Sequence, residues 1–394
     1  AELQSLCDEY PADMTCRIGM GYCYQQLGDF DTAMKIYEGV REVDPSNGML
    51  QTVLLEYYLA QGMDSLYEVT RDSILYAKET DTPTRVALLQ QMTERMSADS
   101  VDTDCIAAHY ERVLLSDSAN VDILTMYAAF LNYRQRPQEQ ICTLMSRILT
   151  IEPDNEMATQ WLLQYYVSRR DYSSLEGICW RGINYHPDEL LYSYFLGMIL
   201  MERDEGEKAL EVLGRGIRLR NEGTRLALVS DAFTIRGDIY YKMGKHEEAF
   251  LEYDSALVYN KDNILCLNNY AYYLSLRNEK LDKAEEMSYR TIKAEPGNKT
   301  YLDTYAWILF MQSKFSEAQE YMDKVVPRDS TEQFLMSDEY TGSAILEHAG
   351  DIAWMTGDES RAACMWQLAV KRGDPGVTPV LHKKARKKRY YQHK

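Results

Sequence analysis

The 394-residue chain carries 61 Asp and Glu against 43 Lys and Arg, a net charge of −18, with 45% apolar and 26% charged residues. That balance belongs to a core-forming protein and excludes a disordered chain. Ten prolines and 21 glycines exclude a collagenous or low-complexity one, and no apolar run approaches the ~18 residues of a membrane span. Residues 371–394 hold nine Lys or Arg against the single acid Asp374, a local +8, which leaves the chain before them at −26. An acidic body repels phosphate, so nucleic acid is not expected as the main ligand.

In chain order, Pro11 comes first. It holds the place of a helix-ending proline, so residues 1–13 are expected to be the second helix of a unit that begins upstream. Residues 14–47 then form a complete helix–turn–helix unit. A small residue and a tyrosine (Gly21, Tyr24) precede a turn glycine (Gly28), then Ala33 and Tyr37, then Pro45. The slot held by Ala33 returns at Tyr67, Ala107, Ile141, Leu175, Ala209, Ala249, Ala284, Ala318 and Ala362. Its spacing stays at about 34 residues, apart from three longer steps. The closing proline returns at Pro45, Pro153, Pro187 and Pro296, and the small slot at Gly21, Ala129, Gly197, Gly237, Ala271, Ala306 and Gly350. Small residues allow two helix backbones to approach, an aromatic ring fills the space left, and proline ends the second helix. Extra residues fall around Thr80–Thr84 and Arg220–Leu226, and within Pro327–Asp338. Ten such units span 14–376 as one continuous array. Residues 377–394 form a basic helix or tail, in which Val380, Leu381 and Ala385 suit a cap over the last unit. Contact with anionic lipid or RNA, or with another copy's acidic groove, is the alternative role for this segment.

The motif Met20-Gly21, Tyr24, Ala33, Tyr37 and Pro45 closely resembles the tetratricopeptide repeat family. The resemblance implies an all-α, right-handed α-solenoid of about ten helix-turn-helix units with a C-terminal capping helix. It also implies a concave groove lined by first helices, where ligand segments lie. By that register the late groove holds Asn268, Tyr272, Asp303, Trp307, Phe310, Glu347, Asp351 and Trp354. The mixture of rings and acids suits a basic or apolar protein segment. Asp303 and Glu347 stand where a clamp for a terminal carboxylate needs cations, so that mode is not expected.

The stretches Leu267–Leu274, Tyr301–Trp307 and Glu347–Asp351 resemble a group of large tetratricopeptide proteins from anaerobic gram-negative gut bacteria. That resemblance implies a lipoprotein signal upstream of Ala1 and the periplasmic side of the cell envelope, with the cytoplasm as the alternative. The function expected is a non-enzymatic scaffold or adaptor. The alternative is a membrane-anchored envelope assembly or chaperone-like factor, lipidated through that upstream signal.

Catalytic signatures are missing: the sequence holds no P-loop, no H-E-x-x-H and no nucleophile elbow. No cofactor or metal is expected. His348, beside Glu347 and Asp351, reads as part of an acidic groove wall rather than a metal site. The eight cysteines include no C-x-x-C and are expected to be small buried hydrophobes.

Overall fold

A computed structural model of the chain describes residues 9–10, 13–45, 47–96, 103–337, 342–374 and 377–391. The helix expected over residues 1–13 falls mostly outside them. Among the described residues there are helices and turns and no strand. The chain divides into two compact bodies, residues 1–181 and 182–394. The first holds α1 (Met14–Gln26), α2 (Phe30–Val43), α3 (Gly48–Ala60), α4 (Asp64–Tyr76), α5 (Thr82–Met96), α6 (Thr103–Ser116), α7 (Val121–Tyr133), α8 (Gln138–Ile151) and α9 (Glu156–Arg169). The boundary falls within α10 (Tyr172–Tyr185). The second holds α11 (Leu190–Glu202), α12 (Gly206–Leu219), α13 (Leu226–Lys242), α14 (His246–Tyr259), α15 (Ile264–Leu276), α16 (Leu281–Ala294), α17 (Lys299–Met311), α18 (Phe315–Val325), α19 (Glu332–Ser337), α20 (Ser343–Met355), α21 (Glu359–Arg372) and α22 (Pro379–Lys387).

The hairpins close as the small slot requires. A Cβ on Gly21 would stand 2.5 Å from the Tyr37 ring, one on Gly237 2.6 Å from Tyr253, and one on Gly350 2.5 Å from Trp366 Nε1. In each case the large ring comes from the second helix of the same hairpin, at one fixed offset from its glycine. Tyr37, Tyr253 and Trp366 are fully buried. Among the described residues, the turns between paired helices carry a left-handed residue at the end of the first helix. Gly28, Gly62, Gly244 and Gly357 supply it, while Gln135, Arg170, Asp204, Asn278 and Ser313 adopt it without being glycine. Helices α2, α8, α10 and α16 end two residues before Pro45, Pro153, Pro187 and Pro296, as the restriction on residues preceding proline demands.

A second recurrent device escaped the sequence reading. Asn47, Asn155 and Asn298 follow three of those prolines by two residues and cap the next first helix. Their side chains accept from the backbone N–H of Leu50, Ala158 and Tyr301. Asn120 and Asn263 do the same for Ile123 and Cys266. Each cap contributes roughly 1 kcal/mol.

Two expectations are corrected. In the third unit, Ala107 is only half-buried. The slot belongs to Ile106, fully buried one residue earlier, with Tyr110 buried a turn later where Tyr37 stands in the first unit. The cysteines are not uniformly buried either: Cys16, Cys179 and Cys266 are, whereas Cys23, Cys105 and Cys364 are exposed. Cys23, Cys105, Cys142, Cys179, Cys266 and Cys364 are free thiols. The insertion at Arg220–Leu226 is a loop leading into α13, which is longer than its counterparts. That within Pro327–Asp338 contains the short α19, with residues 338–341 outside the described set.

In the first body one apolar cluster runs from Ile18 through Tyr37, Leu50, Leu89, Tyr110 and Ile148 to Leu162. In the second, one cluster gathers around Tyr253, Tyr270 and Leu274. Another gathers around Trp307, Leu346 and Trp366 and takes in Leu381 and Ala385 of α22. Burying a side chain of this size contributes about 1.5–3 kcal/mol. The final helix therefore covers an apolar face that would otherwise meet water.

Candidate functional site

The eight residues proposed for the late groove stand on α15, α17 and α20, the first helices of three successive hairpins in the C-terminal body. Spacings of four or seven residues put Asn268 and Tyr272, then Asp303, Trp307 and Phe310, then Glu347, Asp351 and Trp354, on one face of each helix. Beside them lies a cavity of about 630 Å³. Tyr272, Trp307, Phe310 and Glu347 line it, together with His348, Met311, Phe315, Leu381 and Tyr390. At its margin Leu276 and Met355 are 44% and 40% exposed, and Ala344 is open to solvent. Asn268, Asp303, Asp351 and Trp354 are not among its lining residues. Asn268 is buried with no partner for its Oδ1, and Trp354 leans on Trp366, ring centroids 5.7 Å apart.

The two acids on α20 already hold a cation. Lys384 of α22 is completely buried, and its Nζ donates to Glu347 Oε1 and Asp351 Oδ2, both at 2.7 Å. Trp366 Nε1 donates to the other Asp351 oxygen at 2.9 Å. Burial pushes the Asp351 pKa above the usual carboxylate range, against the pull of Lys384 in the opposite direction. Two close carboxylates cannot stay ionised in an apolar interior without such a partner. The local field also reaches Tyr390, whose pKa is raised to about 12 by burial and by Asp351 and Glu347. The Lys384 ammonium lies 5.3 Å from the centre of the Tyr390 ring, and that ring meets Phe310 edge-on at 6.4 Å. The chain turns after α22 at Lys388, in the left-handed region at φ 50°, and Tyr390 follows two residues later. The basic tail thus contributes a buried cation and an aromatic wall.

A second polar pair crosses from α17 to α20. His348 Nδ1 lies 3.0 and 3.1 Å from the two oxygens of Asp303, and both residues are more than nine-tenths buried. Burial disfavours the charged imidazolium, but Asp303, then Asp351 and Glu347, outweigh it and raise the His348 pKa above its ordinary value. Trp307 stacks on His348 at 4.1 Å and on Phe310 at 4.9 Å, so its ring is held between the polar pair and the apolar wall. Within this cluster the histidine faces Asp303, and the two acids face Lys384. The role of Lys384 was not legible in the tail, where it differs from its neighbours only in helical phase. Tyr390 carried no signal beyond being one of two adjacent tyrosines.

Comparison with known proteins agrees with the repeat. A tetratricopeptide repeat profile matches residues 16–47, the first complete hairpin. A TPR repeat-containing protein of Pseudomonas aeruginosa is 24% identical over 145 residues, 36% of this chain and 23% of that protein. The match therefore spans less than a quarter of the relative's length. Among solved structures, a tetratricopeptide repeat protein from Parabacteroides merdae aligns with 68% of this chain and 98% of its own, at 15% identity and a TM-score of 0.47. YrrB, described as a TPR protein with an unusual peptide-binding site, aligns with 49% of this chain and 95% of its own, at 16% identity and a TM-score of 0.38. The profile match and the curated relative support a tetratricopeptide repeat protein.

Proposed function

We propose that the chain is a non-enzymatic interaction scaffold that holds a segment of a partner protein, and that the cavity beside α15, α17 and α20 is where the segment's apolar side chains dock. The observation that carries this reading is the cavity itself. Its volume lies in the ~300–1,000 Å³ range of ligand sites, and rings from successive hairpins wall it. At its margin the apolar Leu276, Ala344 and Met355 stand open to solvent beside the polar Asn278 and Ser313. Such apolar surface is costly to leave wet, and burying one leucine- or phenylalanine-sized side chain from a partner is worth about 1.5–3 kcal/mol. Rings held rigid by stacking lose little entropy on binding, which suits them as anchors.

The test is selection of peptides from a random displayed library on the full-length protein, followed by affinity measurement on Ala344→Trp. That substitution places an indole at the open margin without removing a core side chain. Enriched peptides should lose at least tenfold in affinity. Peptides that bind the Ala344→Trp protein as tightly as the native one would remove the cavity from this reading.

A further inference from the structure

We infer that His348 is the polar recognition point of this cavity, and that its ligand is a neutral hydrogen-bond acceptor on an apolar body: a backbone carbonyl beside an apolar side chain in an extended protein segment. The inference rests on the reading of the cavity as a docking site and adds the chemistry of what docks.

Three observations converge on it. His348 lines the cavity and is 6% exposed. Its Nδ1 is turned to both oxygens of Asp303. A carboxylate only accepts, so the proton of that bond sits on Nδ1. The opposite ring nitrogen, Nε2, has no hydrogen bond among the described residues. A polar atom on a cavity wall without a protein partner is costly to dry and favours a ligand that supplies one.

The charges nearby then sort the ligand classes. A cation is poorly served, because Glu347 and Asp351 already close on Lys384 at 2.7 Å. An anion is disfavoured as well, because the three buried carboxylates Asp303, Glu347 and Asp351 outnumber the Lys384 ammonium and the imidazolium by one charge. A neutral oxygen acceptor remains, and the Asp303 carboxylate favours the imidazolium whose Nε2–H donates to it. The charged and titratable groups acting on the ring are Asp303 on α17, Glu347 and Asp351 on α20, and Tyr272 on α15; from the C-terminal segment, Lys384 holds Glu347 and Asp351, and Tyr390 lines the same cavity. A carbonyl inside a partner helix is already committed to its own backbone ladder, whereas an extended segment presents its carbonyls free.

The experiment follows the imidazole nitrogens of the native, full-length protein, labelled with ¹⁵N-histidine, by long-range NMR correlation at pH 6.5. His348 is assigned by its loss in His348→Gln. Four probes are titrated: N-acetyl-phenylalanine amide, N-acetyl-leucine amide, N-acetyl-phenylalanine as its carboxylate, and phenethylamine as a cation. The two amides should shift the His348 Nε2 resonance saturably, with a midpoint on the order of 1 mM. The carboxylate and the amine should bind at least tenfold more weakly. A lone-pair Nε2 in the free protein, equal or tighter binding of either charged probe, or amides that leave His348 unmoved would each overturn the inference. If the amides fail while library peptides still bind and lose affinity in Ala344→Trp, the assignment of His348 falls and the docking site stands. If both fail, the docking site falls with it.

Discussion

Replacing Lys384 by methionine should cost the C-terminal body about 3–5 kcal/mol, the scale for removing one partner of a buried ion pair. Methionine keeps an unbranched apolar side chain of similar girth, so packing changes little and the loss reports the charge. Lys384 is fully buried, and both of its carboxylate contacts are 2.7 Å long. Without the ammonium, Glu347 and Asp351 face each other in an apolar setting with no compensation from this position. Neutralising them in the same background, as Lys384→Met with Glu347→Gln and Asp351→Asn, should bring stability back to within about 1 kcal/mol of the native chain. Repeat arrays can unfold in parts, so the measurement should be local: native-state hydrogen exchange of α20 and α21, alongside fluorescence of Trp366. The deficit of the single variant should shrink as pH falls and the acids take up protons. Burial already holds the Asp351 carboxyl above its ordinary pKa, which brings that protonation closer to neutral pH. A loss below about 1 kcal/mol in Lys384→Met, or a triple variant as unstable as the single one, would refute the reasoning.

Glycines in this fold should separate cleanly by position. Gly350→Ala and Gly237→Ala drive a methyl to within 2.6 Å of Trp366 and Tyr253 and should each cost about 1–3 kcal/mol in urea denaturation. Gly39→Ala, with open space around its Cβ in mid-helix, should gain about 0.5–1 kcal/mol. At the hairpin turns, Ser313 sits at φ 63°, so Ser313→Gly should raise the melting temperature by relieving about 1 kcal/mol of left-handed strain; an unchanged or lower value contradicts the turn geometry. For pH, the raised His348 pKa makes its pair with Asp303 fully stabilising below the ordinary histidine value of 6.5. That contribution is lost as pH rises through the folded-state value. Stability of the C-terminal body should therefore fall more steeply on the alkaline side of pH 6.5 in the native chain than in the double variant His348→Gln with Asp303→Asn. Parallel curves would show that the pair does not titrate as described.

Much of the hairpin architecture was legible because its constraints are local and repeat. A glycine followed at a fixed offset by a ring, a residue able to turn left-handed, and a closing proline each act within a single hairpin. Seeing them several times over removes coincidence. The third unit shows the limit of such reading. In Ile106-Ala107-Ala108, small residues are adjacent, and only packing reveals that Ile106 takes the interior slot while Ala107 is half-buried. Exposure of Cys23, Cys105 and Cys364 was hidden for the same reason, since a thiol fits either face of a helix.

The site divides along the same line. The register implied by the family resemblance put eight residues on the groove face; of them, Tyr272, Trp307, Phe310 and Glu347 line the cavity, and Asn268, Asp303, Asp351 and Trp354 do not. It could not show that Glu347 and Asp351 are occupied by Lys384, 37 and 33 residues further along the chain. Nor could it show that His348 turns to Asp303, 45 residues before it. Short-range periodicity in the amino-acid sequence determined the helices, their pairing and their apolar faces, because those follow from geometry within one hairpin. The tertiary structure alone decided which charges meet across hairpins and which of two neighbouring lysines is buried. Those outcomes depend on the phase and seating of α22 against α20, and a rotation of one residue along that helix would turn Lys384 to water and leave two carboxylates unpaired.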